Sequence, residues 1–328
     1  MVGPLISSVR LWEFKGIRAC EEPIRLSRFT VLIGRNNSGK TSVLEALALL
    51  PTYQVGEVRF TPIAWTWEHF MKELHGGLGS MIYGYAGEAR IEYVIQGKKV
   101  LLEVVGGTII RPKNSEGAGI SRLSMAGLLG VSVDRLKEAI MLLPNDSRFL
   151  LDLARKMAEE NAWSLVEKSS ANTAVVRDLI SKAVHDRFTE ATVRFNSIVL
   201  RKELPDGRVI YVKAADLGDG VERVLIYGLW LETYKPKVVL WDDIEASAHP
   251  GLIEAVLEWL ASRDWQVVLT THSYDVLERL VAIEPEGASV VVLKKGADDV
   301  LEPRVLSLDE LREMLESHVD VRKVVDIL

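Results

Sequence analysis

The stretch "VLIGRNNSGKTSVLEALALL", Val31 to Leu50, decides how the rest of the chain is read. An apolar run stops at a glycine, crosses a polar loop, meets Lys-Thr and restarts with apolar residues at helical spacing. That is the pattern of a strand over 29–33, a tight loop, and a helix over 40–50 ended by Pro51. The loop residues Gly34, Arg35, Asn36, Asn37, Ser38, Gly39, Lys40 and Thr41 fit GxxxxGK[ST], in the strand-to-helix setting that this motif requires. Glycines let successive backbone N–H groups turn inwards on a polyphosphate, while the helix presents its positive N-terminal end. Lys40 would reach the β and γ phosphates, the Thr41 hydroxyl would ligate Mg²⁺, and Ser42, next along the first turn, would belong with the loop to the cofactor-binding set.

The length of the chain permits one large domain or two modest ones, and its composition is neither that of a disordered nor of a membrane-spanning protein. Its 328 residues, 48% hydrophobic and 26% charged, can bury a substantial core. No apolar stretch reaches the roughly 18 to 20 residues of a membrane-spanning helix, and the N-terminus lacks a basic-then-apolar leader, so a cytoplasmic protein without membrane attachment is expected. One cysteine, Cys20, excludes an internal disulfide framework and a cysteine-based zinc site. A formal net charge of −6 gives no global positive field for nucleic acid.

Around the loop, residues 5–14 alternate as a strand, and 90–112 read as an antiparallel meander with turns at Gln96–Lys99 and at Gly106-Gly107. From 118 to 190 the period turns helical, through Leu136, Ile140, Leu143, Phe149, Leu153 and Met157, with Asp146 or Ser147 as one cap and Asn172 or Thr173 as another. Strands are expected at 193–200 and 208–213. The last third alternates: helix 221–233, strand 237–241, helix 250–262, strand 266–271, helix 274–283, strand 289–294 and a final helix from about 308. The fold class implied is α/β, a mostly parallel sheet flanked by helices, with an antiparallel β subdomain (90–112) and a helical insert (118–190) in a single unit over 1–328.

"VVLWDDIEASAHP", residues 238–250, is an apolar strand that ends in two acids. Beside a phosphate loop, Asp242 would hold Mg²⁺, and Asp243 would orient or deprotonate the attacking water. The bland alternative for such a pair is a helix cap and a solvated turn. His272 ends a third apolar strand, "VVLTTHS", and in a parallel sheet it would face the same crevice.

These residues together resemble the ABC/SMC-like P-loop ATPases, in particular the single-chain RecF/OLD-type branch of AAA-family ATP-binding proteins. The likeness is carried, in the family's order, by "VRLWEFKGI", "GRNNSGKT" as Walker A, "DLGDGVERVLIYGLWL" as signature and helix, "LWDDIEASAHP" as Walker B with D-loop, and "TTHS" as the switch. The resemblance implies a head that forms an ATP-dependent homodimer, in which Gly218, Asp219 and Gly220 of one chain close on the γ-phosphate held by the Lys40 of the other. Ala246 to Pro250 would line the seam. It further implies catalytic roles for Asp243, His272 and Lys40.

Three departures qualify the likeness. Gly218 stands where the family usually has serine, and Asp243 where it usually has glutamate, leaving Glu245 as a substitute. None of Gln54, Gln96 and Gln266 suits the glutamine that couples metal to the helical lobe. Slow hydrolysis is therefore expected, and the alternative is a nucleotide-gated binding module with negligible turnover. Two helices of some 15 residues would reach only about 22 Å, so the insert is expected to be a compact lobe rather than a long coiled coil. No Toprim-type nuclease segment is expected after the last helix. The object of the cycle would be a partner protein or DNA, with Arg111, Lys113 and Arg122, or Arg194, Arg201 and Lys202, as the candidate basic patches.

Overall fold

The computed structural model describes residues 3–52, 65–106, 108–184, 186–318 and 321. The N-terminal alternation becomes β1 (Ile6–Phe14), which buries Ile6, Val9, Leu11 and Phe14. It turns at Lys15-Gly16 into β2 (Ile17–Cys20), and the short β3 (Ile24–Arg25) pairs back on β1. The apolar run before the glycine loop is β4 (Phe29–Ile33), buried at every position as a central parallel strand must be. The loop then delivers α1 (Lys40–Leu49), apolar nearly all round and buried with it.

Next come α2 (Trp67–His75) and the meander β5 (Glu88–Ile95), β6 (Lys98–Val105) and β7 (Thr108–Asn114). Inward positions such as Ile91, Tyr93 and Leu102 are fully buried, as the period of two requires. After α3 (Arg122–Leu129), the run Ile140–Leu143 is a strand, β8, and not the helix that Leu136, Ile140 and Leu143 suggested. Four consecutive buried apolar residues before Pro144 satisfy a parallel edge strand as well as a helix face, and pairing with a neighbouring strand decided between them.

The helical segment proper is α4 (Ser147–Met157), α5 (Glu160–Lys168), α6 (Ala171–Val175) and, after one π-helical turn at Val176–Ile180, α7 (Ser181–Val184). Asp146 caps α4, accepting from the Arg148 and Phe149 amides. The residue before α6 is Ser170 in a left-handed conformation, so Asn172 and Thr173 lie inside the helix they were expected to cap.

The strand expected at 193–200 is a hairpin. β9 (Phe188–Arg194) and β10 (Ser197–Glu203) turn over Phe195-Asn196, both with positive φ, and β11 (Val209–Lys213) completes a separate three-stranded sheet. The last third follows as α8 (Asp219–Tyr234), β12 (Val238–Trp241), α9 (Pro250–Ala261), β13 (Gln266–Thr270), α10 (Tyr274–Ile283), β14 (Ala288–Lys295), β15 (Val300–Ser307) and α11 (Leu308–Glu316). The strand β15 was not anticipated, because Pro303 and the flanking charges of Glu302 and Arg304 interrupt its alternation.

Among the described residues the main sheet has twelve strands, in the order β7-β6-β5-β1-β2-β15-β14-β4-β13-β12-β8, with β3 beside β1. From β14 to β8 all neighbours run parallel, so β4, β13, β12 and β8 bring their C-terminal ends to one edge. At that edge ligands meet a parallel sheet. The fold is thus the α/β class expected, with its antiparallel strands continuing the parallel block. No described helix is long and apolar enough to cross a membrane.

Candidate active site

The glycine loop connects β4 to α1 in a conformation that only its sequence permits. A Cβ on Gly34 would lie 2.4 Å from the Leu293 carbonyl oxygen and 2.6 Å from Ser38 Oγ, so any side chain there would push the loop off β14. Asn37 takes a φ of 64° and Gly39 one of 91°, which turns the chain into α1 with no side-chain cap and no acid in the first turn. The first amides of α1 are therefore left for an anion.

Lys40 folds back over the loop, its Nζ donating to the Gly34 and Arg35 carbonyls at 3.1 Å each. Burial lowers its pKa against the opposing pull of Asp243, Asp242 and Glu245. Ser38 Oγ is buried without a hydrogen-bond partner. A buried cation on carbonyls alone, an unanswered hydroxyl and open amides all suit an anionic group, so the residues fit a polyphosphate.

Asp242 leaves the end of β12 directly opposite. Thr41 Oγ1 donates to both of its carboxylate oxygens at 3.1 Å, and Thr270 Oγ1 donates to Oδ1 at 2.8 Å. Burial, reinforced by the neighbouring Asp243 charge, raises the Asp242 pKa to about 6 despite these bonds. A hydroxyl and a carboxylate are the two protein ligands a phosphate-bound Mg²⁺ needs, the remainder being phosphate and water. Among the described residues no group of three or more His, Cys, Asp or Glu side chains could hold a metal by itself.

Asp243 sits in the left-handed region with φ 46°, its amide donating to Thr270 Oγ1 at 2.8 Å. His272 Nε2 lies 3.9 Å from Asp243 Oδ1. Glu245 is tied to the end of β13, where it accepts from Thr271 Oγ1 at 2.8 Å and from the His272 amide at 2.6 Å. Asn36, Asn37, Ser38, Gly39, Lys40, Thr41, Ser42, Asp243 and His272 all line one cleft of about 510 Å³.

Known proteins give the arrangement its context. A family model for an AAA ATPase domain matches residues 5–72. A second, described as an AAA domain, putative AbiEii toxin, type IV TA system, matches residues 147–278. No curated protein matches the sequence. The Smc head domain of Pyrococcus furiosus, solved with an extended coiled coil and bound to the C-terminal domain of ScpA, superposes with a TM-score of 0.59 at 13% identity, covering 96% of this chain and 99% of that one. A SmcHead bound to the C-winged helix domain of ScpA gives 0.60 at 14%, covering 94% and 100%. The SMC head domain from Thermotoga maritima gives 0.53 at 19%, covering 92% and 99%. The fold is that of an ABC/SMC-like P-loop ATPase head.

In this chain, Gly218, Asp219 and Gly220 do not line the phosphate-loop cleft. They begin α8 on another part of the surface, with Gly218 and Asp219 exposed. Gly220 is jammed against the 247–248 backbone, where a Cβ would lie 2.1 Å from the Ser247 oxygen, so the start of α8 and the Ala246–Pro250 segment form one surface.

Of the described glutamines, neither lines the cleft. Gln266 spends its side chain on Ile6 and Ser27 backbone at the far end of the sheet, Gln96 turns a hairpin at φ 48°, and Gln54 lies outside the described residues. The place beside Asp243 is filled by Asn145, just past the end of β8, whose Nδ2 donates to Asp243 Oδ2 at 3.2 Å. The sequence offered its signal, a polar residue closing an apolar run, but a helical reading of 136–143 hid it.

Four further residues of the cleft were also missed: Lys15, Gly16, His75 and Lys295. Lys15 pairs with the fully buried Glu45, and His75 Nε2 lies 2.9 Å from the other oxygen of that carboxylate. Burial pushes the Glu45 pKa up, but Lys15 and His75 hold it below the usual range. Of the candidate basic residues, Lys113 pairs with Glu103, Arg201 with Glu203 and Lys202 with Asp186, while Arg194 stacks on Tyr211. The Arg111 side chain lies outside what is described.

Proposed function

We propose that the chain binds ATP with Mg²⁺ in this cleft and hydrolyses it slowly, and that two copies close on each other around the nucleotide. The observation that carries the reading is the meeting of Lys40, Ser38 with its unpartnered hydroxyl, and Thr41 in one cleft, with the buried Asp242 carboxylate directly behind Thr41. Backbone amides from 36 to 41 and the Lys40 ammonium would hold the β and γ phosphates. Mg²⁺, when bound by Thr41 and Asp242, supplies charge neutralisation on the transferring phosphoryl group.

Asp243 is the residue for the attacking water. It faces the cleft and has His272 beside it, whereas both oxygens of Glu245 accept bonds from the β13 end. An aspartate is one methylene shorter than the usual glutamate, which favours slow turnover.

The signature residues support a homodimer. They lie outside their own cleft, so in this reading Gly218, Asp219 and Gly220 would complete the site of a second copy. The resulting motion would act on a partner protein or DNA. The ion pairing of Lys113, Arg201 and Lys202 weighs against a strong DNA site on those patches and favours a protein.

The test is calorimetric titration with Mg²⁺ and a non-hydrolysable ATP analogue, alongside sedimentation with and without nucleotide. Micromolar binding lost in Lys40→Ala, with a shift to a dimer on analogue binding, is expected. No heat and a single monomeric species under all conditions would overturn the reading. Binding and dimerisation with native turnover equal to that of Asp243→Ala would leave the nucleotide-gated module in its place.

A further inference from the structure

We propose that Arg223, acting through Asn145, is a positioning residue for the Asp243 carboxylate, so that the placement of α8 decides how that acid faces the cleft. The inference rests on the ATPase reading above and extends it. Arg223 lies one turn into α8, after Gly218–Gly220, and its side chain is buried. Its guanidinium divides its donors between two targets. Nη1 donates to Asn145 Oδ1 at 2.8 Å, and Nη2 donates to the Asp242 carbonyl oxygen at 3.1 Å. The group also stands over the Tyr227 ring, 5.7 Å from its centroid.

This contact fixes the amide by chemistry. Arginine has no acceptor, so Asn145 must turn its oxygen to Arg223, and its NH₂ is thereby left to donate to Asp243 Oδ2. One guanidinium thus holds the backbone of the first acid directly and the side chain of the second through one amide. Asp243 takes a left-handed φ of 46°, which aspartate tolerates better than most residues, and the Asn145 bond fixes its side chain in that setting.

The start of α8 is also where the fold is prepared to feel a second chain. Gly220 rests on the Ser247 backbone with no room for a methyl group, so α8 and the 245–248 turn can shift only together. A displacement of α8 by a partner would pass from Arg223 to Asn145 to Asp243, three side chains in unbroken contact. A purely structural arginine, clamping the end of β12 through the Asp242 carbonyl, would have no need of the asparagine.

Two variants separate these roles. Arg223→Lys keeps the buried charge but cannot reach both acceptors, and Asn145→Ala changes an exposed residue that folding tolerates. Each is expected to lower kcat by roughly tenfold while KM for ATP stays within about twofold, and the double variant should be no slower than the worse single one. Losses that multiply in the double variant would overturn the relay, as would native rates in either single.

A second readout needs no turnover. The His272 ring resonances, assigned with His272→Gln, report on the Asp243 carboxylate 3.9 Å away. Both variants should move them in the same direction in nucleotide-free protein. Resonances unmoved by Arg223→Lys would refute the inference. A native chain that fails to hydrolyse ATP would count against the ATPase reading alone, and the resonances would then decide the relay.

Discussion

Helices α1 and α8 both begin after a glycine of left-handed φ, 91° at Gly39 and 90° at Gly218, and neither has a side-chain cap. From that common start they diverge. The opening turn of α1 carries no acid, and Ser38, Lys40 and Thr41 line one cleft there, with Asp242 bonded behind Thr41. The opening turn of α8 is exposed at Gly218 and Asp219, and it carries Asp219 and Glu222, which already satisfy part of the helix dipole. Burial and the nearby Asp219 and Asp216 charges raise the Glu222 pKa, a sign of crowded negative charge. In the proposed ATPase, the first helix start would serve as a complete anion cradle and the second as half of one, and a weak half.

The contrast is broken most forcefully at Lys40. Lys40→Ala removes the ammonium that donates to the loop carbonyls, and turnover is expected to fall on the order of 10³-fold, with nucleotide affinity falling too. Phosphate release and analogue titration measure the two losses, and a variant that binds the analogue as tightly as the native chain would show the cradle to be incomplete. Asp243→Ala should leave binding intact and cost roughly 10²-fold in kcat, since general-base assistance is typically of that size. Agreement of its rate with the native rate within error would end the enzymatic reading while sparing the cradle.

Asp242 gives the contrast a pH dependence. Its folded pKa of about 6 stands above the ordinary aspartate value, so the native state holds this proton more tightly than the unfolded chain does. The stabilisation this provides is complete below pH about 4 and lost as pH rises through 6, at most about 3 kcal/mol by pH 7. Urea unfolding from pH 4 to 7 should therefore show Asp242→Asn gaining on the native protein as pH rises, although that variant should lose Mg²⁺-dependent turnover. Carboxylates held low, Glu45 among them, slope the opposite way in both proteins, so the difference between the two curves is what counts. Parallel curves would mean that Asp242 titrates normally.

How far the sequence could foresee this depends on whether a signal is local. The loop from Gly34 to Thr41 fixes its own conformation through glycines and a helix start, and its order of residues spells that out. The neighbouring acids of β12 were legible for the same reason, since strand and turn are contiguous in the chain. Asn145 was not, because its meaning comes from β8 pairing with β12, nearly a hundred residues later, and an apolar run of four does not announce a strand. Lys15, His75 and Lys295 reach the cleft from three separate elements, and only the packing of β1, α2 and β14 around the loop brings them together. The strand β15 escaped for the converse reason: antiparallel pairing with β14 tolerates charges and a proline that alternation does not predict.

The smallest expected effect probes the weak half directly. If Asp219 partly spends the dipole of α8, then Asp219→Asn should strengthen the grip of that helix start on a partner's phosphate without altering its backbone amides. One screened charge near a helix end is worth about 0.3–1 kcal/mol, a gain of roughly two- to fivefold in the ATP-dependent dimerisation constant. Nucleotide binding to the isolated head should not change, because Asp219 does not line the cleft that holds the loop. Gly218→Ala works in the other direction, forcing a Cβ into a φ of 90° at the point of contact and weakening the dimer. Sedimentation equilibrium of the three proteins with a non-hydrolysable analogue orders them, and the effect should shrink as salt is raised because the charge is exposed. Were Asp219→Asn to weaken the dimer instead, the side chain itself would be making a contact across the seam, and α8 would be a polar docking edge rather than a second anion cradle.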